Sequence, residues 1–287
     1  MKKLLLLSVM LIVVIGLVGT VAAQDDDYKI LRARNGTDDV PTLDPSLATD
    51  ASSIQVLLLT TPGLTAIREE DSAAIPGIAT WDVEVNEDGT ATYTFHLMEE
   101  LPWVYYDTEA GEVKEVMDAD GNVRYVTAHD VIYGWNRTIN PETGADYAYV
   151  LYPQVVGGAE VYEDGGSLDI LAISAPDDYT FVVTAPQLLS FQAGIYGMWV
   201  ARPQPAWAIE EFGDFWQEPG NNQSYGPYVM SEWVHNEVLV VVKNPFWPGT
   251  ETIPVPDIDE IQLLNVEQST GMAMFEAGDL DFLDTVA

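Results

Sequence analysis

The sequence predicts a mixed α/β fold of the α+β kind, and three stretches carry the prediction. Trp81, Val83 and Val85 alternate with Asp82, Glu84 and Asn86, and Tyr93, Phe95 and Leu97 alternate with Thr92, Thr94 and His96. Strand side chains switch faces with period two, so this is a hairpin with one apolar face. Asn86-Glu87-Asp88-Gly89 breaks the run, and its glycine takes positive φ at low cost in the turn. Thr127-Ala128-His129-Asp130 opens a helix as a capping box, with Val131 and Trp135 on one face. Val238 to Lys243 is an apolar run closed by a lysine, which suits a strand covered on both faces.

The chain begins with Lys2 and Lys3, an apolar run from Leu4 to Val21, and the small residues Val21-Ala22-Ala23 before Gln24. This is the pattern of an export signal over residues 1–23. The run is close to the shortest that spans a bilayer, so retention as an uncleaved anchor is the alternative. Ile30 to Arg34 predicts a strand, and Leu43 leads into an Asp44-Pro45 turn. Ser52 to Leu64 predicts a helix with Ile54, Leu57 and Leu58 as apolar positions, capped by Ser52 or Ser53 and stopped near Pro62-Gly63. A second hairpin is expected where Glu115-Val116-Met117 and Val123-Arg124-Tyr125 flank Asp118-Ala119-Asp120-Gly121-Asn122. The Asp118, Asp120, Asn122 spacing is that of the start of a calcium loop. Val123 stands where such a loop needs glycine, however, and His129 where it needs a bidentate Glu, so turn chemistry explains the acids.

The helix from Thr127 ends before Asn140-Pro141. Leu168 to Ala185 predicts a third hairpin, with Tyr179, Phe181 and Val183 on one face after an Asp177-Asp178 turn. Met198-Trp199 lies between this hairpin and Pro203-Gln204-Pro205, and Ala206 to Phe212 is a short helix. A strand runs from Gly226 to Trp233, His235-Asn236-Glu237 turns the chain, and Ile258 to Leu264 is a further strand. Glu267 to Ala277 predicts a helix stopped by Gly278.

The 287 residues allow one large domain or two smaller ones, and 47% hydrophobic with 10% aromatic residues is a globular composition. Without cysteine there are no disulfides, thiolate metal sites or cysteine nucleophiles. The net charge of −35, from 11 basic and 46 acidic residues, lacks the basic footprint of a nucleic-acid binder. It describes a solvated acidic surface.

Several short motifs together carry a family resemblance. They are Leu43-Asp44-Pro45, Pro76-Gly77-Ile78-Ala79-Thr80-Trp81 followed by an acidic turn and Thr94-Phe95-His96-Leu97, and Thr127-Ala128-His129-Asp130-Val131 with Tyr133 and Trp135. Further on come Gly226-Pro227-Tyr228, Asn244-Pro245-Phe246-Trp247, and Phe275, Gly278 and Asp281. In this order they resemble ABC-transporter extracellular solute-binding proteins of family 5, the oligopeptide, dipeptide and nickel-binding type. The likeness is collinear over most of residues 30–283. It departs at Met98, where relatives carry a basic residue, and after Trp103, where Val104-Tyr105-Tyr106 replaces a short turn.

The resemblance implies a periplasmic-binding-protein-like type II architecture, incomplete here: most of lobe I plus the small β-rich lobe II, with the second ligand-binding lobe missing. On that pattern residues 24–61 begin lobe I, 62–205 form lobe II with an inserted hairpin at 104–126, and 206–287 return to lobe I, cut short. The chain is then expected to be a fragment or a truncated product. The missing cysteine also removes the lipid attachment by which many relatives are tethered. The implied function is the solute-binding component of an importer, monomeric, exported to the periplasm or outer face of the membrane. It would take peptides or another small solute, need no cofactor, and hand the solute to a membrane permease. By position, Thr49, Asp50 and Ala51 would form a cleft loop and Tyr147 a cleft wall, with Met198 and Trp199 at a cleft edge or lobe crossover. An ordinary loop, and simple packing for Tyr147 and Met198, are the alternatives.

The three histidines, His96, His129 and His235, lie on or beside strands or in a helix first turn, and no H-E-x-x-H, G-x-S-x-G or phosphate-binding glycine loop occurs. Within the family a nickel chelate, a haem or an oligosaccharide are alternative solutes. A secreted carboxylate-dependent hydrolase is the alternative of another class.

Overall fold

A computed structural model describes residues 28–283. The expected export signal at residues 1–23 lies outside the described residues. Among those described, no helix is long and apolar enough to cross a membrane.

In chain order the elements are β1 (Ile30–Arg34), α1 (Ala51–Thr60), β2 (Thr65–Ile67), β3 (Ala74–Pro76), β4 (Ala79–Val85), β5 (Ala91–Leu97), β6 (Val104–Asp107), β7 (Glu112–Glu115) and α2 (Ala128–Ile139). There follow α3 (Ala148–Leu151), α4 (Gly158–Asp164), β8 (Ile173–Asp177), β9 (Thr180–Ala185), α5 (Gln192–Ile195) and α6 (Ala206–Phe212). The last are β10 (Gln223–Ser224), β11 (Tyr228–Val234), β12 (Val238–Lys243), β13 (Glu260–Leu264) and α7 (Gln268–Ala277).

The larger core lies under the antiparallel sheet β4-β5-β9-β8. Tyr93, Phe95, Phe181 and Val183 point into it from the two central strands, and α2 covers them with Val131 and Trp135. Trp135 meets Phe181 edge-on at 4.9 Å between ring centroids and lies 5.2 Å from Tyr196. Each such pair adds about 0.5–1.5 kcal/mol beyond simple area burial. The indole Nε1 donates to the Ala201 carbonyl at 3.0 Å, so no buried donor is wasted. The capping box of α2 is complete: the Thr127 hydroxyl serves the N3 amide and the Asp130 carboxylate takes the Thr127 N–H.

The second core sits on the sheet β1-β13-β12-β11, in which β1 runs parallel to β13 and the other pairs are antiparallel. Val56 of α1 packs there with Met230, Leu239, Val241 and Leu263, and Leu59 lies partly buried against them. β12 spans the residues of the apolar run and buries Leu239, Val240 and Val241 in succession. Both its edges are paired, with β11 and β13; Leu239 and Val241 face the second core, and Val240 on the opposite face is buried as well.

Four expectations change. The row Trp81, Val83, Val85 is not a buried face: Val83 and Val85 are 46% and 56% exposed. β4 pairs only with β5 and ends the sheet, and the helices cover the sheet's middle. α1 starts at Ala51 and is capped by Asp50, not by either serine. Its buried residues are Ser53, Val56, Leu57 and Thr60, one face at helical spacing, which leaves Leu58 58% exposed. The insertion at 104–126 holds two pairings. β6 and β7 form a hairpin, β6 also pairs with β10, and Met117 and Val123 form an isolated bridge around the Asp118 turn. The Asp118 carboxylate is spent on that turn, accepting from the amides of Asp120 and Asn122 at 2.9 and 2.8 Å. Finally, Leu168–Ile170 is a 3-10 turn and the third hairpin starts at Ile173.

Candidate functional site

The residues singled out by position converge on Trp199. This residue opens a 3-10 turn, Trp199–Ala201, that leads from α5 toward the proline pair before α6. Its indole Nε1 donates to the Ala48 carbonyl at 2.9 Å. Its ring meets Tyr147 edge-on, 5.3 Å between centroids, and Tyr147 in turn lies 5.6 Å from the exposed Tyr149. One tryptophan thus ties the 48–51 loop to the tyrosine that caps α3. Tyr147, Met198 and Trp199 are each half-buried against the larger core and present their remaining surface to solvent.

In the loop itself, Thr49 and Ala51 are exposed and Asp50 is half-buried. No hydrogen bond among the described residues engages the Thr49 backbone N–H or C=O. Asp50 does not offer a free charge. It accepts from the Ser53 N–H at 2.9 Å, from the Ser53 hydroxyl at 2.6 Å, and from the Ser52 hydroxyl. Burial pushes its carboxyl up, but these hydrogen bonds outweigh that and hold it below the usual aspartate value. Its task is to cap α1 and fix the loop.

Beneath the loop lies a buried polar hub. Asp44 accepts both guanidinium nitrogens of Arg137, at 2.7 and 3.1 Å, and the Ser46 N–H at 2.9 Å. Arg137 also donates to the Gln204 amide oxygen, and Gln204 donates to the Ser46 hydroxyl at 2.8 Å. Thr138 shares a hydrogen bond with Ser46 at 2.9 Å and donates to the Val200 carbonyl at 2.8 Å. Asp44 belongs to the first segment, Arg137 and Thr138 to α2, and Val200 and Gln204 to the crossover, so the hub clamps three distant stretches behind Trp199 and the loop.

Two grooves flank Met198. One, of about 760 Å³, is lined by Ile67, Trp81, Val83, Leu188 and Phe191 among others. The other, of about 400 Å³, is lined by Ile54, Leu58, Trp199, Arg202 and Ile253 together with the backbone around Gly63 and Gly197. Sequence reasoning missed Ile54 and Leu58 as groove residues, and it missed Arg202. The signal for the first was a helix with more apolar residues, Ile54 and Val56 to Leu59, than one face can bury. The signal for the second was an arginine between Ala201 and Pro203 in an apolar stretch.

None of the three histidines lines either groove. His96 is 3.2 Å from Asp82, His129 is 3.6 Å from Asp178, and His235 is 2.7 Å from Asp39 and 3.4 Å from Glu218. Among the described residues no group of three or more His, Cys, Asp or Glu is placed to hold a metal ion.

Comparison with known proteins gives one family. The model of the bacterial extracellular solute-binding proteins, family 5, matches residues 73–287. The periplasmic oligopeptide-binding protein OppA of Escherichia coli is 29% identical over 86% of this chain and 42% of its own length. The periplasmic murein peptide-binding protein MppA of the same organism is 28% identical over 93% of this chain and 45% of its own. Among solved structures, Haemophilus influenzae OppA in complex with RPPGFSPFR aligns at a TM-score of 0.71 with 27% identity, covering 89% of this chain and 46% of that one. Burkholderia pseudomallei OppA aligns at 0.74 with 24% identity over 91% of this chain, which shows a shared fold. The chain spans less than half the length of the relatives it matches.

Proposed function

Because the chain belongs to the bacterial extracellular solute-binding proteins of family 5, we propose that it is the solute-binding component of an ABC importer and that its solute is a peptide. The observation that carries the reading is the Tyr147–Trp199–Ala48 contact, which sets an aromatic surface beside a loop whose Thr49 backbone groups are unpaired. An extended peptide gains affinity by pairing its backbone with such groups, while its side chains rest on broad amphipathic rings. Thr49, Ala51, Tyr147, Met198 and Trp199 are the proposed contacts, with Asp50 holding the loop in place.

We assign residues 24–61 and 206–287 to one lobe and 62–205 to the other. The two cores support this division. The smaller is built from residues between Ala33 and Val56 and between Tyr228 and Leu263, the larger mainly from residues between Leu64 and Ala201. Closure of lobes about connecting segments buries the solute and presents a closed face to a permease. The protein is proposed to act as a monomer and, like its periplasmic relatives, outside the cytoplasmic membrane. It binds its solute and does not transform it.

The contacts proposed above form one wall against a peptide. Weak binding is therefore expected: peptides of a few residues should raise the melting temperature slightly and saturably, Tyr147→Ala should remove the effect, and the peptide should be recovered intact. Micromolar affinity in calorimetry would overturn the one-wall reading. Peptide or glycan turnover lost on one carboxylate-to-amide change would overturn the binding reading in favour of a hydrolase.

A further inference from the structure

Arg202 is 2% exposed, and its Nε and Nη1 are buried without a hydrogen-bond partner. A buried guanidinium is normally paired. Arg137, the other arginine set in the interior against a carboxylate, follows that rule with Asp44. With 46 acidic residues against 11 basic ones, partners are abundant, yet among the described residues no carboxylate pairs with Arg202. Its one ionisable neighbour of consequence is the Tyr225 phenol, whose hydroxyl already donates to the Pro62 carbonyl at 2.9 Å. Burial brings the Arg202 guanidinium down to about 10, which leaves it charged at neutral pH.

The residue lines the groove of about 400 Å³ beside α1. That volume lies in the range of about 300–1,000 Å³ common for small-ligand sites. Its other walls are mostly apolar: Ile54, Leu58, Met198, Trp199 and Ile253. Two glycines let the backbone form the floor. A Cβ on Gly63 would meet the Gly197 oxygen at 2.3 Å, and one on Gly197 would meet the Thr65 oxygen at 2.3 Å. An apolar groove with a single unpaired cation is complementary to a small apolar molecule carrying one negative group. The planar fork of arginine fits a carboxylate with two parallel hydrogen bonds.

We propose that this groove binds a small apolar monocarboxylate, with its carboxylate on Arg202 and its hydrocarbon body against Ile54, Leu58 and Trp199. The inference goes beyond the peptide reading: the groove shares Met198 and Trp199 with the peptide contacts proposed above, but it is carried by Arg202, Ile54 and Leu58, which are not among them.

The test is a thermal titration of the full chain with 4-methylpentanoate and with its uncharged analogue 4-methylpentanamide. Sodium chloride is added to the amide series to match ionic strength, because screening alone stabilises a chain of this charge. The acid should raise the melting temperature saturably, and the amide should bind at least about tenfold more weakly, as expected when a charge-assisted pair is lost. Arg202→Met should abolish the difference. Leu58→Trp, at an exposed position that fills the groove from outside, should abolish binding and leave the ligand-free melting temperature near wild type; it also serves if Arg202→Met does not fold. Equal responses to acid and amide, a response that survives either substitution, or no saturable response would overturn the assignment. So would dimerisation abolished by Arg202→Met, which would mean that an acidic side chain of a second copy occupies the groove. Peptide binding that persists without any response to the acid overturns this inference alone. A response to the acid without peptide binding overturns only the other.

Discussion

Replacing Asp44 by asparagine removes one charge and almost no volume, and the hub behind the 48–51 loop reports the consequence. The Asp44 side chain is 2% exposed and that of Arg137 20%. The substitution leaves one amide oxygen to be shared by the Ser46 N–H and one Arg137 nitrogen, which also keeps Gln204, and sets an NH2 donor against the other Arg137 nitrogen, which loses its acceptor. Breaking a buried ion pair by removing one partner costs about 3–5 kcal/mol. The partial exposure of Arg137 and its retained bond to Gln204 put the expected loss at the low end, about 3 kcal/mol, or roughly 6–12 °C in melting temperature for a chain of this size. Arg137→Met strands the more deeply buried Asp44 carboxylate and should cost about 4 kcal/mol. The double substitution removes both charges, so its cost should fall short of the sum by more than about 1 kcal/mol. Urea unfolding of the four proteins, followed by tryptophan fluorescence, measures the cycle. Strict additivity, with each single change below about 1 kcal/mol, would mean that the pair behaves like an exposed one and that the hub does not clamp the loop.

Three further outcomes follow from particular side chains. The hydrogen bond to Asp39 raises the His235 pKa, opposed by burial and helped by the charges of Asp39 and Glu218. The folded value therefore lies above the unfolded 6.5, so the contribution of this contact is fully present below that pH and is lost as pH rises through the folded value. His235→Gln should flatten the fall of melting temperature above pH 6.5, and an unchanged pH profile would count against the clasp. Burial raises Asp130 from 3.8 to about 6, against hydrogen bonds from Thr127 and Trp103, a penalty on the charged form of about 3 kcal/mol. The folded state thus holds its proton more tightly, and stability falls as pH rises from 3.8 to about 6. Asp130→Asn, whose oxygen can still accept at the cap, should be no less stable than wild type at pH 7.5, whereas Asp130→Ala should lose about 1–2 kcal/mol of capping; urea midpoints at that pH separate the two. Gly63→Ala would set a Cβ 2.3 Å from the Gly197 oxygen, backbone against backbone, and should destabilise by more than about 2 kcal/mol with a visible change at Trp199 in near-UV circular dichroism.

Much of the candidate site was placed by residues that local motifs surround. Leu43-Asp44-Pro45 marked the segment that ends in the 48–51 loop, and Tyr147 and Trp199 were singled out separately, 52 positions apart in the chain. Their contact with each other, and the hydrogen bond from Trp199 to Ala48, could not be read from spacing. The capping role of Asp50 was masked by two serines next to it that are equally good caps by type. Arg202 carried no motif, because its meaning lies in what does not surround it.

By itself the sequence determined what depends on neighbours along the chain: the capping box at Thr127, the helix at Ala206–Phe212, the strand at Val238–Lys243 and the left-handed stop at Gly278. Those follow from periodicity, capping chemistry and φ, which act over a few residues. Only the tertiary structure decided that β1 lies parallel to β13, that Val83 and Val85 face water, and that Leu58 looks into a groove. An apolar side chain carries the same signal whether a distant strand covers it or none does, and that cover is settled by contacts some 230 residues apart, such as Ile30 against Glu260.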